Sequence, residues 1–128
     1  MNETDAIFYL NSIAQVIYDK KGSNILALDV RECSSLTDYV IIAEGASDKH
    51  VIAIAHAIME CLKKDPPLYV EGIRTGDWVA IDYFNIMIHL FKPGLRDKYQ
   101  LEQLWREGDI VDLQINILHP SRLQNSGN

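Results

Sequence analysis

The residues able to bind a metal ion are few and scattered along the chain. The cysteines and histidines are Cys33, His50, His56, Cys61, His89 and His119. Three of them, His50, His56 and Cys61, fall on one predicted helix, where their spacing separates them by about 9 and 16 Å. Because tetrahedral zinc requires ligand atoms within about 2.3 Å of the ion, we expect no metal site from this set.

Two carboxylates on separate predicted strands offer another possible metal site. Asp29 and Asp82 could face each other across a sheet and hold Mg²⁺ for phosphoryl transfer, although the chain has no Asp-x-Asp pair. The alternative is that both are strand-end carboxylates in turns or at a contact surface. We favour that alternative.

Nucleophilic catalysis and phosphate binding have little support in the sequence. Cys33 has no histidine close by in the chain, and Ser47 precedes a helix, where serine commonly serves as the N-cap. Neither G-x-G-x-x-G nor G-x-x-x-x-G-K-[ST] occurs. The residue chemistry therefore favours binding over catalysis and implies no cofactor.

Two helices are expected in the first half of the chain. Residues 4–20 carry apolar side chains at helical spacing, with Thr4 or Asp5 as the cap and Gly22 at the C-terminal end. A second helix begins after Ser47 or Asp48 and runs to about residue 64, before the Pro66-Pro67 pair.

Five strands are expected, at residues 25–30, 39–43, 68–70, 78–83 and 86–91. The first two are apolar throughout, which is typical of strands buried on both faces, so helices should cover at least part of the sheet. We predict an α/β (α+β) fold: one domain over residues 1–118, with a mixed sheet of about five strands flanked by helices. Residues 119–128 are expected to form a flexible tail.

The last two strands should form an antiparallel hairpin around Phe84-Asn85 with two different faces. One face is aliphatic apart from Tyr83. The opposite face mixes aromatic and ionisable side chains, which is more typical of a binding surface than of a core. Its residues are Trp78, Ala80, Asp82, Met87, His89 and Phe91.

The charge of the chain restricts its partners. It has 128 residues and a formal net charge of −6, which disfavours a broad contact with nucleic acid and favours a basic protein partner. Its longest apolar run is far shorter than a membrane span, and its first residues are acidic, unlike a signal peptide. We expect a cytoplasmic protein with two reduced cysteines.

An ordered set of short motifs closely resembles the ribosomal silencing factor family, also called Iojap-like, over residues 7–113. The motifs begin with Ala27-Leu28-Asp29-Val30, Ser34-Ser35-Leu36-Thr37-Asp38-Tyr39 and Gly45-Ala46-Ser47-Asp48-Lys49-His50-Val51. They continue with Glu71-Gly72, Asp77-Trp78-Val79 with Asp82, His89 with Phe91, Arg96 with Tyr99, and Leu101-Glu102-Gln103-Leu104-Trp105.

The resemblance implies a non-enzymatic factor that binds the large ribosomal subunit through a basic ribosomal protein of the L-fourteen family. The bound factor would block joining of the small subunit and so repress translation. The implied fold is related to nucleotidyltransferases, and Gly45 to Lys49 would stand where those enzymes hold their phosphate-binding loop. Because no carboxylate pair is evident, we expect the fold without the chemistry.

By family position, the hairpin is the expected docking element. Trp78 would be the aromatic anchor and Asp82 the partner of a Lys or Arg, with Met87, His89 and Phe91 on the same face. Trp78 as a core residue is the alternative. The family commonly has Gly-Asp at the hairpin turn, so Phe84 predicts a longer loop or another turn type and offers an additional contact.

Two other functions remain open. One is a nucleotidyltransferase-like, nucleotide-binding enzyme that uses Asp29 and Asp82. The other is a ribosome assembly factor acting as a homodimer, since an apolar hairpin can also pair with a second copy of itself.

Overall fold

The computed structural model describes residues 2–96 and 108–117. In chain order the elements are α1 (Glu3–Asp19), β1 (Ser23–Asp29), β2 (Tyr39–Glu44), α2 (Asp48–Cys61), β3 (Tyr69–Glu71), β4 (Trp78–Tyr83), β5 (Ile86–Phe91) and β6 (Asp109–Ile110). The predicted α/β class is confirmed, with six strands instead of about five. Tyr99, Trp105 and the expected tail lie outside the described residues.

The sheet has the strand order β3-β4-β5-β2-β1-β6. Its neighbouring strands are antiparallel except β2 and β5, which run parallel in register from Tyr39↔Ile86 to Glu44↔Phe91. A parallel pair cannot be joined by a tight turn and needs a long crossover connection. The chain between β2 and β5 provides it and contains α2, β3 and β4.

Helix α1 begins slightly earlier than predicted, and its C-terminal end has a conformation that was not predicted from the sequence. The cap is Asn2, whose side chain accepts a hydrogen bond from the Asp5 backbone N–H at 2.8 Å. At the other end Lys21 takes the left-handed conformation, with φ 70°. Gly22 is needed there for space, because a Cβ would lie 2.4 Å from the Ile17 Cγ2 atom.

Helix α2 begins as predicted, with Ser47 as its cap. The Ser47 hydroxyl accepts from the His50 backbone N–H at 3.1 Å. The helix ends at Cys61, about three residues before the predicted end, and Leu62 forms its C-cap. Among the described residues, no helix is both long and apolar enough to span a membrane.

Both helices pack on the same side of the sheet, which we call the inner face. The aliphatic face of the hairpin joins this core, as the alternation predicted. The buried inner-face residues of the strands are Ala27, Tyr39, Ile41, Ala43, Val79, Ile81, Tyr83, Ile86, Ile88 and Leu90. Strand β2 is also buried on the opposite, outer face, where Val40 and Ile42 are fully covered.

A second apolar cluster lies on the outer face. Its buried members are Leu28, Val30, Val40, Ile42 and Phe91. Leu26, Trp78, Met87 and Leu95 pack against it while remaining partly exposed. The outer face therefore has its own core near the middle of the sheet, and it becomes more exposed towards β3 and β4.

After a last hydrogen bond to the sheet, from the Val111 N–H to the Ala27 carbonyl at 2.9 Å, residues 112–117 run along α1. The backbone N–H of Asn116 donates to the Gln15 side-chain oxygen at 2.6 Å, and the Gln15 amide donates back to the Asn116 carbonyl at 3.0 Å. Gln114 donates its backbone N–H to Asn11 at 2.8 Å. The intervening apolar side chains, Val111, Leu113 and Ile115, pack against the inner core.

The hairpin between β4 and β5 has a two-residue turn, so the predicted longer loop is wrong. Tyr83 pairs with Ile86, and Phe84 adopts φ 57°. The start of β2 holds the turn in place, because the Asn85 carbonyl accepts from the Asp38 and Tyr39 backbone N–H groups at 3.1 and 3.0 Å. This anchoring imposes on Phe84 a conformation that costs a non-glycine residue about 1–2 kcal/mol.

We therefore expect Phe84→Asn to fold more stably than Phe84→Ala. Both substitutions remove the ring, but asparagine tolerates the left-handed conformation better than alanine. The free energy of unfolding should be higher in the asparagine variant by about 1 kcal/mol, measured by urea denaturation. Equal stabilities, or a more stable alanine variant, would show that the turn does not hold this φ in solution.

Candidate functional site

The more exposed half of the outer face forms a patch across β3, β4 and β5, which we call the outer patch. Strand register places its members in rows: Tyr69, Asp82 and Met87 in one, and Glu71, Ala80 and His89 in the next, with Trp78 beside Phe91. We define the outer patch as Tyr69, Glu71, Trp78, Ala80, Asp82 and Met87, none of which is buried.

Trp78 is held in the patch by two buried neighbours. Its indole Nε1–H donates a hydrogen bond to the His89 Nδ1 atom at 3.0 Å. The Trp78 and Phe91 ring centroids lie 5.1 Å apart, within the range of favourable aromatic pairs. Trp78 is therefore neither a fully buried core residue nor a freely rotating surface residue.

His89 is 8% exposed, and its role follows from its protonation state. Burial lowers the pKa of His89 to about 4, so the imidazole is neutral near pH 7. With Nδ1 accepting from Trp78, the ring hydrogen is on Nε2. His89 thus orients the indole and is not a cationic contact.

The predicted docking residues divide into two groups by exposure. Trp78, Asp82 and Met87 reach the surface, whereas Phe91 is fully buried and His89 nearly so. The last two can influence a partner only through the residues they support. Phe84 is 47% exposed but lies at the opposite end of β4 from Trp78, about 20 Å away for six residues of extended chain.

Sequence reasoning missed two members of the outer patch. Tyr69 is 60% exposed and stands opposite Asp82, and Glu71 stands opposite Ala80. Strand β3 has only three residues, too short for its own alternation to show a face. Pairing the predicted short strand with β4 would have shown that Tyr69 and Glu71 share a face with Trp78.

The Asp82 carboxylate has no hydrogen bond or ion pair with any residue in the described ranges. At the open end of the hairpin, Asp77 by contrast pairs with Lys92 at 3.1 Å. Arg96 is also engaged within the domain: it approaches the Glu44 carboxylate at 3.6 Å and donates to the Asn24 carbonyl. Asp82 is thus the patch acid positioned to accept a donor from outside.

The alternative metal pair is not formed. Asp29 lies beside Tyr39, whose ring belongs to the inner core, whereas Asp82 lies on the outer face. Strands β2 and β5 lie between β1, which carries Asp29, and β4, which carries Asp82, so β1 and β4 are about 14 Å apart. Asp29 is instead paired with Arg31, which donates to it at 2.6–3.1 Å and lowers the pKa of its carboxyl. No group of three or more metal-binding side chains occurs within the described residues.

Comparison with known proteins identifies the family of this chain. A family model described as "Ribosomal silencing factor during starvation" matches residues 3–127. The chain belongs to the ribosomal silencing factor family.

Individual relatives extend the likeness in sequence and structure. The chain is 32% identical over 114 residues to a ribosomal silencing factor of Zymomonas mobilis, covering 88% of this chain and 86% of that protein. It is 30% identical to the mouse protein named mitochondrial assembly of ribosomal large subunit protein 1, covering 78% of this chain and 46% of that protein. A crystal structure from Chromobacterium violaceum aligns with a TM-score of 0.74 at 30% identity, covering 93% of this chain and 98% of that one.

The loop that precedes α2 is closed by its own hydrogen bonds. The Ala46 backbone N–H donates to His50 Nδ1 at 2.7 Å, and His50 Nε2 contacts the Lys20 carbonyl at 2.6 Å. The N–H groups of Gly45, Lys49, His50 and Val51 also have acceptors. Phosphate binds at helix N-termini through free N–H groups, and here most of them are already used.

The burial of His89 makes the stability of the domain depend on pH. The unfolded chain takes up a proton at His89 as the pH falls through about 6.5, while the folded chain resists protonation down to about 4. The free energy of unfolding should therefore fall across this window, by about 3 kcal/mol for complete titration.

His89→Asn tests this contribution, because an asparagine side-chain oxygen can accept from Trp78 without titrating. Between pH 7 and 4.5 the variant should lose less stability than the parent chain, by about 2 kcal/mol in urea denaturation. An equal loss in both proteins would mean that His89 is not the buried neutral group described above.

Proposed function

We propose that this chain is a non-enzymatic factor that binds the large ribosomal subunit through a basic protein of the L-fourteen family. Once bound, it blocks joining of the small subunit and so represses translation. Membership of the ribosomal silencing factor family supports the ribosomal role. The docking site is inferred from the outer patch, where a tryptophan held in position and an unpaired carboxylate share a solvent-accessible sheet face.

The chemistry of the outer patch suits a basic protein. Trp78 and Met87 provide apolar area at its two ends, and Asp82 offers an acceptor to a Lys or Arg side chain. Tyr69 and Glu71 would extend the contact along β3. The formal net charge of −6 favours association with a basic surface and disfavours contact with ribosomal RNA.

To repress translation in this way, the chain needs only to occupy its binding site on the large subunit. A domain seated where the two subunits meet excludes the small subunit by its volume, without turnover or a change of shape. The closed loop before α2 and the separation of Asp29 from Asp82 support a role without catalysis. Failure of the chain to bind Mg²⁺-ATP in calorimetry is expected, and binding abolished by Asp29→Ala or Asp82→Ala would favour the enzyme alternative.

A role in large-subunit assembly is the second candidate, favoured by the name of the mouse relative. It predicts preference for immature large-subunit particles over mature ones. A homodimer that buries the outer patch is a further alternative, and mass measurement by light scattering at micromolar concentration would reveal it.

Co-sedimentation with separated subunits and with whole ribosomes, across a salt series, tests the proposal. The chain should migrate with mature large subunits, and pre-bound factor should prevent their joining with small subunits. Binding to neither subunit at low salt would contradict the proposal. Binding only to immature particles would support the assembly role instead.

Trp78→Ala should weaken binding to the isolated L-fourteen protein by about 2 kcal/mol, or about 30-fold, as for other aromatic hot spots. The matched control is Phe8→Ala, which removes an aromatic ring that is 64% exposed on α1 and should leave affinity unchanged. Calorimetry measures affinity and circular dichroism reports folding. If Trp78→Ala folds and binds like the parent chain, the outer patch is not the docking site.

Asp82→Lys provides a test that does not disturb the aromatic cluster. Reversing this charge should weaken binding at low salt about tenfold or more and make the affinity less dependent on salt. Glu32→Lys, an equal charge reversal at an exposed position outside the patch, is the control. Equal effects of the two reversals would indicate attraction to the net charge of the chain and no specific contact at Asp82.

A further inference from the structure

A cleft separate from the outer patch opens beside the turn of the β4–β5 hairpin. Its volume is about 310 Å³, and its lining residues are Asp5, Tyr9, Asp65, Tyr83 and Phe84. They come from the start of α1, the segment after α2 and the hairpin turn. The cleft shares no residue with the outer patch.

Three aromatic rings form the walls of the cleft and hold one another in place. The ring centroids of Tyr9 and Tyr83 lie 5.4 Å apart in an edge-to-face arrangement, and those of Tyr83 and Phe84 lie 5.0 Å apart at 81°. Tyr83 is buried and supports the other two rings, so the ring surfaces available to a ligand are those of half-buried Tyr9 and exposed Phe84.

Two carboxylates flank these rings, and the fold does not use either of them. The Asp5 and Asp65 side chains make no hydrogen bond or ion pair with any residue in the described part of the chain. Some other surface acids are paired, as Asp29 is with Arg31 and Glu60 with Lys63. No lysine or arginine is among the residues that line the cleft.

The charged side chains that line the cleft, Asp5 and Asp65, are both negative. The pKa of Tyr83 is raised to about 12, chiefly by burial, and the charge of Asp65 makes a smaller contribution. A negative field between aromatic walls attracts cations and repels phosphate and carboxylate ligands. A nucleotide or an acidic peptide is therefore a poor match for this site.

We propose that the cleft is a second docking site, which receives an arginine side chain of a protein partner. A guanidinium group can stack on aromatic rings and also donate paired hydrogen bonds to a carboxylate, so it matches both features of the lining. The volume is at the lower end of the range of about 300–1,000 Å³ for ligand pockets, which suits a single long side chain. The proposal goes beyond the docking through the outer patch and does not depend on it.

The test uses acetyl-arginine-N-methylamide as the probe and the isotope-labelled full chain, without ribosomes. Titration followed by ¹H–¹⁵N correlation spectra should shift the backbone signals of Asp65 and Phe84 with saturation in the range of about 1–10 mM, as befits one side chain. Acetyl-citrulline-N-methylamide, which has the same shape without the charge, should bind at least fivefold more weakly.

Variants locate the binding within the cleft. Asp65→Asn should weaken the arginine probe at least threefold, and Phe84→Asn, which suits the turn, should weaken it similarly by removing one wall. Glu32→Gln removes an equal charge elsewhere and should leave the affinity unchanged. The same titration of Trp78→Ala should match the parent chain, which separates this site from the outer patch.

Several results would overturn the assignment. Equal shifts from the arginine and citrulline probes would show that charge plays no part. Equal weakening by Asp65→Asn and Glu32→Gln would show only a general attraction to an acidic protein. Absence of saturable shifts at Asp65 and Phe84 up to about 20 mM probe would remove the site altogether.

Discussion

The parallel pairing of β2 with β5 is the constraint on which the remaining architecture depends. It joins the N-terminal strands to the hairpin and places β2 near the middle of the sheet, where both of its faces must be covered. The inner face is covered by two helices. On the outer face, Val40 and Ile42 are covered by a smaller apolar cluster that includes Phe91, so the hairpin strand β5 belongs to both layers.

This arrangement explains why the outer face changes character across the sheet. Beneath the small cluster it is a core, and at β4 and β3 it becomes a surface on which Tyr69 is exposed and Asp82 and Trp78 are half-buried. His89 and Phe91 lie at the boundary between the buried and the more exposed parts of the outer face. They are buried by the same packing that holds the Trp78 ring in position.

The sequence was informative wherever one periodicity dominated. The apolar run at 39–43 predicted a strand buried on both faces, and alternation along β4 and β5 assigned every hairpin residue to its correct face. Alternation shows which face of the sheet a side chain lies on, but not whether other residues cover it. It therefore grouped the buried residues Phe91 and His89 with half-buried Asp82. The turn at Phe84 was mispredicted because the contacts that hold it come from residues 38 and 39, which are distant in the chain. The short strand at 68–70 was predicted, but β3 is too short for alternation to assign Tyr69 and Glu71 to a face, and β6 was not predicted.

The hydrogen bond from Trp78 to His89 has a consequence for the kind of recognition this surface can perform. Since the indole N–H is already satisfied inside the domain, the exposed part of the ring offers no directional donor to a bound protein. What it presents is a flat, polarisable hydrocarbon surface that makes contacts by shape and dispersion. Such a surface tolerates exchange among aliphatic or aromatic residues opposite it, so the orientation of a bound protein would be determined by the polar residues of the patch and not by the tryptophan.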